Sequence, residues 1–100
     1  DITQKIIESL SNVCTRSVLF SVKNESKDVM QIADELKISI STVYKTLSTL
    51  EDLALAEIDR YVISPEGKKI KLYRSRIGKV EITLDDLEPT LMLHPNDSKN

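Results

Sequence analysis

Ser39, Ser41, Thr42, Tyr44, Lys45, Ser48 and Thr49 crowd into one short stretch of this 100-residue chain, and Lys68, Lys69 and Lys71 follow it closely. Hydroxyls donate and accept hydrogen bonds, while ammonium groups donate only and carry charge. Such a set suits phosphate oxygens and the edges of nucleic-acid bases: short hydroxyl side chains let a backbone come close, and lysines neutralise phosphates. It does not supply an activated nucleophile. The single cysteine, Cys14, and the single histidine, His94, are far apart in sequence, and two glycines leave little scope for a phosphate-cradling loop. No nucleophile elbow is visible. The chain is therefore expected not to be an enzyme, to hold no metal at a Cys/His-rich site and to need no cofactor. Asp85, Asp86 and Glu88 match no metal-binding loop and read as a polar turn.

Charge is distributed unevenly. The net charge is −2 and the pI about 5.4. Residues 1–59 carry six basic and ten acidic side chains, −4; residues 60–80 carry seven basic and one acidic, +6; residues 81–100 carry one basic and five acidic, −4. A basic block between acidic flanks is a local electrostatic footprint that the global pI hides. Its members are Arg60, Lys68, Lys69, Lys71, Arg74, Arg76 and Lys79.

The elements that must position these residues follow from periodicity. Ile2, Ile6, Ile7, Leu10 and Val13 recur at three and four residues, which predicts a helix over Ile2 to Leu10. Asn12 caps a second helix, Val13 to Val22, with Val18, Leu19 and Val22 inward and Cys14 as a buried thiol. Asp28 and Gln31 have capping-box spacing, and Ile32, Ala33 and Leu36 make the stripe of a third helix. Lys37-Ile38 is a turn, and Ser39 caps a fourth helix, Ile40 to Asp52. Wound at about 100° per residue, that helix turns Val43, Leu47 and Leu50 to one side. Ser41, Lys45, Ser48 and Asp52 fall opposite, with Tyr44 on one flank and Thr42 and Thr49 on the other. Two β-rich runs, Glu57 to Ile63 and Lys69 to Arg74, flank Ser64-Pro65-Glu66-Gly67, a type I turn signature. Alternation in the second run points Ile70 and Leu72 one way and Lys71 and Tyr73 the other; the first run gives no clear register. Val80 to Leu84 and Thr90 to Leu93 form either another hairpin or a strand and an arm, and His94 to Asn100 is expected to fray.

Asn12-Val-Cys-Thr-Arg16 with the following Ser-Val-Leu-Phe, then IADELKISISTVYKTLSTLEDLALAE and the basic hairpin, resemble a small prokaryotic winged helix-turn-helix transcription regulator. The nearest groups are the ArsR-like (arsenic-repressor-like) regulators and their archaeal relatives. The resemblance covers roughly residues 10–76. It implies an α+β, mostly helical fold with a β-hairpin wing and N- and C-terminal dimerisation extensions. It also implies that Ser41, Thr42, Tyr44, Lys45 and Ser48 face a DNA major groove and that the Lys68/Lys69 region contacts backbone or minor groove. Such proteins are usually homodimers on pseudo-palindromic sites. The chain departs from the family in three ways. Ala54 stands where glycine often follows the recognition helix, so that helix is expected to end without a left-handed residue. The metal-sensing cysteine pairs are missing. The recognition helix holds one lysine and no arginine.

These observations combine into one expectation: residues 1–80 form a winged helix-turn-helix domain, with residues 1–11 its N-terminal helix, and residues 81–100 form a C-terminal strand or arm. The partners are double-stranded DNA and a second copy, with helix 40–52 in the major groove and wing 58–74 on phosphates. No membrane partner is expected, because the longest apolar run, Leu53 to Ala56, spans no bilayer. No secretory signal is visible, Asp1 in place of methionine reads as a trimmed or a processed start, and the expected location is cytoplasmic. The rival reading is a winged helix used as a protein-interaction module in a transcription or chromatin assembly, motivated by the net acidity and acidic flanks. A small-molecule effector, the operator and any redox role of Cys14 stay open.

Overall fold

The computed structural model describes residues 1–98; Lys99 and Asn100, the end of the tail expected to fray, lie outside the described residues. Four helices come first, α1 (Ile2–Ser11), α2 (Val13–Ser21), α3 (Val29–Leu36) and α4 (Ile40–Asp52). Two antiparallel hairpins follow, β1 (Ala56–Ile63) with β2 (Lys69–Ser75) and β3 (Ile77–Thr83) with β4 (Thr90–Pro95). This is an α+β winged helix, with helix and strand closer to balance than the expected mostly helical composition.

Each helix starts where a side chain accepts from an otherwise orphaned amide. Asn12 Oδ1 accepts from Thr15 N at 3.0 Å, and Ser39 Oγ from Thr42 N at 3.1 Å. Asp28 and Gln31 close a full capping box, at 2.8 and 3.0 Å. Between α3 and α4 the chain turns on Lys37, which is left-handed at φ 57°, and Ile38 N donates back to Ala33 O at 3.1 Å. The core gathers Ile6 and Leu10 of α1, Val18 and Leu19 of α2 with Val22, Ile32 and Ala33 of α3, and Val43, Leu47 and Leu50 of α4. Ile2 and Val13, counted in the apolar stripe of α1, are instead exposed. Cys14 is half-buried rather than buried.

The end of α4 corrects an expectation. Ala54 does adopt the left-handed conformation, at φ 59°. Leu55 N donates to Leu50 O at 2.8 Å and Ala54 N to Glu51 O at 2.9 Å, the bond pair of a Schellman cap. Leu55 and Leu50 are both buried, so the apolar contact across the cap holds Ala54 in a conformation that its Cβ disfavours.

The first hairpin leaves this cap directly. Gly67, at φ 82°, closes the loop after a type I turn in which its amide donates to Ser64 O at 2.9 Å. The poor alternation of β1 has a physical cause: the register slips between Ile58 and Arg60, so Asp59 bulges out of the ladder. Its carboxylate accepts from Ser26 Oγ and from Arg60, each at 2.7 Å. The Ser26 hydrogen bond, followed by the Arg60 guanidinium, holds the Asp59 carboxyl below the usual aspartate range despite some burial that opposes it. A single β-bridge pairs Lys27 with Tyr73, adding a short third edge to this sheet. Alternation sets Lys71 and Tyr73 against Ile70 and Leu72 without naming the docked face; Tyr73 packs into the helical core, and Leu72 is buried as well.

The second pair of strands is a hairpin rather than a strand and an arm. It begins at Ile77, before the boundary expected at residue 80, and its strand β4 runs through His94 and Pro95. Asn96 ends the hairpin in register with the core rather than fraying: its side-chain amide donates to Lys23 O and Ser75 O, each at 2.8 Å, and its backbone amide to Arg76 O at 2.8 Å. The Arg74 side chain donates to Ser98 O nearby.

Candidate nucleic-acid interface

The exposed side of α4 is built by default. Val43, Leu47 and Leu50 occupy the core, which rotates Ser41, Thr42, Tyr44, Lys45, Ser48 and Thr49 into solvent. Ser39 stands just ahead of them, and its hydroxyl is spent on the cap, with Thr42 Oγ1 at 2.8 Å and Ser41 Oγ at 3.2 Å. This hydrogen-bonded trio fixes the first turn of α4 at the surface. Thr49 goes elsewhere: it lines a depression with Ile2, Lys5 and Ser9 of α1, and its hydroxyl donates to Lys45 O at 3.3 Å.

Register decides which way the wing lysines point. On a strand, residues two apart share a face. Tyr73 and Ser75 are buried against the helices, so Lys71 and Lys69 lie on the same face of β2 as the residues that dock it. Lys69 and Lys71, together with Ile70 and with Lys68 of the preceding turn, line one groove with Tyr44 of α4, Tyr73, and Asp28, Val29 and Met30 at the start of α3. Lys69 and Lys71 thus open toward α4 and not away from it. Glu66 and Asp28 also line the groove and reduce its positive charge. Asp28 is at the same time committed to the N-terminus of α3, where the helix dipole offsets a carboxylate. Lys45 is exposed on α4 and is not among the residues lining this groove.

Three tyrosines converge here, two of them absent from the sequence-based site. Tyr73 forms part of the groove wall; burial pushes its phenol up, with Glu51, Tyr44 and Tyr61 adding to the shift. It therefore stays a neutral hydroxyl in the wall of a groove lined by three lysines. Tyr61 carries the Lys69 ammonium 4.2 Å above its ring, a cation–π contact that orients the lysine without neutralising it. Met30, 64% exposed, flanks the groove from α3. Tyr61 had a signal in the sequence, a tyrosine on the strand opposite a lysine-rich one, but register was needed to read it.

No family model matches the chain. A protein of the archaeon Methanocaldococcus jannaschii, named an uncharacterized HTH-type transcriptional regulator, is 33% identical over 66 residues, which are 66% of this chain and 70% of that protein. None of the described helices is long and apolar enough to cross a membrane. With α3 and α4 joined by the tight Lys37 turn, capped by Asp28 and Ser39 and followed by a wing, and with that relative matched over most of its length, the chain belongs to the helix-turn-helix-type transcriptional regulators.

Proposed function

We propose that this chain is a homodimeric, ArsR-like regulator that binds double-stranded DNA sequence-specifically. The observation that carries the reading is the groove shared by Tyr44 and the wing lysines Lys68, Lys69 and Lys71. Two segments separated in sequence present hydroxyl and ammonium donors on one surface, with Ser41, Thr42, Tyr44, Lys45 and Ser48 of α4 on an unobstructed helix face beside it. In this reading α4 enters the major groove by its N-terminal half, where Ser41 and Thr42 reach phosphate or base edges while Ser39 holds the cap. The wing then follows the backbone, and the lysines supply most of the affinity by releasing counterions. The charge-poor recognition helix contributes fit and discrimination more than attraction. Thr49, on the α1 side of α4, is the weakest member of the proposed contact set. The protein-interaction reading keeps its motive in the net acidity and acidic flanks; against it stand Lys68, Lys69 and Lys71, which line one groove with Tyr44, while Lys45 lies outside that groove.

Selection from a random duplex pool, followed by anisotropy titrations at several salt concentrations, tests this directly. The expected outcome is an enriched sequence with two related half-sites and a log–log salt slope of several units, about 0.9 per phosphate neutralised. Ser41→Ala or Tyr44→Ala should alter sequence preference by roughly 1–3 kcal/mol at a directly read base. Absence of binding above background at low salt sinks the reading.

A further inference from the structure

The β3–β4 hairpin carries an apolar face that its own helices cover only in part. Directly opposed residues share a face, and the pairs Val80–Leu93 and Ile82–Leu91 lie on the face turned to the core, where Val80, Leu91 and Leu93 pack. Exposure climbs along this face toward the turn, from the half-buried Val80 and Leu93 to Ile82 at 45%; in the turn beyond the strands, Leu84 is 72% exposed and Leu87 86%. Among the described residues β3 and β4 pair only with each other, and a lone two-stranded hairpin is marginal in water. The outer part of this one overhangs the helices with nothing over it.

Beside its root lies a matching depression. Leu10, Phe20, Val80 and Ile82 line a groove between α1, α2 and β3, together with Ser11 and Arg16. Arg16 is exposed and donates one guanidinium nitrogen to Leu10 O and Ser11 O, at 2.8 and 3.1 Å, but no carboxylate pairs with it among the described residues. The hairpin turn has the opposite character: Leu84 and Leu87 are interleaved with Asp85, Asp86 and Glu88. An apolar, acidic tip and an apolar groove with an unpaired arginine are complementary in both respects.

We propose that a second copy of this chain covers the overhang, each hairpin turn seating Leu84 and Leu87 in the Leu10–Phe20–Val80–Ile82 groove of its partner, with Asp85, Asp86 and Glu88 facing the partner's Arg16. This rests on the homodimer in the proposed function and names its interface. Charge decides the arrangement. Tip against tip would bring the carboxylates of both turns together, whereas tip against groove pairs them with arginine. Because groove and tip adjoin on one chain, a two-fold axis between them satisfies both contacts at once and closes the assembly. The hairpins then set the separation of the two α4 helices, so half-site spacing on DNA is fixed by this interface.

Sedimentation velocity over a micromolar concentration series, with far-UV circular dichroism on each sample, tests the proposal. The wild-type chain should sediment as a dimer. Leu84→Asp with Leu87→Asp, two side chains already in solvent, should give a folded monomer. Arg16→Glu alone, and Asp85→Lys/Asp86→Lys/Glu88→Lys alone, should each weaken self-association at least about ten-fold. Mixing those two variants restores opposite charges at both contacts, so the mixture should dimerise again. A wild-type monomer at every concentration leaves the overhang to some other occupant and overturns both this interface and the homodimer. A wild-type dimer that the double-aspartate variant leaves intact overturns this interface alone. Loss of the dimer without recovery in the mixture overturns Arg16 and its groove as the docking place.

Discussion

At Ala54, as at Lys37, this fold holds a side chain against its conformational preference, and glycine at position 54 should stabilise the protein. The residue is exposed, so its methyl group buries nothing. Its φ of 59° is left-handed, which costs an L-residue about 1–2 kcal/mol. Glycine removes that cost but gives up roughly 0.5–1 kcal/mol to its freer unfolded chain. The net expectation for Ala54→Gly is a gain of about 0.5–1 kcal/mol, which for a domain of this size raises Tm by roughly 2–8 °C. Ala54→Val should move the other way, because a β-branched residue is a genuine outlier at positive φ. Thermal unfolding followed by circular dichroism at a fixed protein concentration measures both, the concentration being held because dimerisation shifts Tm. DNA affinity per folded molecule should not change, since neither substitution touches the groove. A glycine variant equal to or less stable than wild type, with valine tolerated, would refute the left-handed cap and with it the angle at which β1 leaves α4.

Lys69→Ala should weaken binding to all duplex sequences about equally and reduce the salt slope by about one unit, measured by anisotropy titration. Asp28→Ala removes the capping box of α3 and should cost about 0.5–2 kcal/mol in a urea melt. The Asp59 carboxyl is held below its ordinary value in the folded state, chiefly by Ser26. Its contribution is therefore present above the unfolded pKa, about 3.9, and is lost as pH falls through the lower folded value. Urea midpoints of wild type and Ser26→Ala across pH 2–6 (roughly spanning that window) should converge at the acid end, and a constant difference at every pH would contradict the link.

The helical half of this protein was legible because its determinants are local. Capping side chains at Asn12, Asp28 and Ser39 and apolar spacing fix where a helix starts and which side is buried, and α4 was read to both of its ends, Ile40 and Asp52. The wing turn was legible for the same reason, since Ser64, Pro65 and Gly67 act within a few residues. What sequence could not supply is whatever depends on contacts between distant segments. Alternation pairs Tyr73 with Lys71 but does not say which face docks; its bridge to Lys27 and its place in the core turn that face inward, and that orientation carries Lys69 and Lys71 to the α4 side. The Asp59 bulge blurred the pattern of β1 because a bulge adds a residue that alternation cannot count. Ala54 was misread because propensity favours ending the helix otherwise, and the buried Leu50–Leu55 contact outweighs it. The polar groups of the candidate site were thus written in the sequence, while the assembly of Tyr44, Lys68, Lys69 and Lys71 into one groove was decided by tertiary packing, which alone sets the face that each strand turns toward the helices.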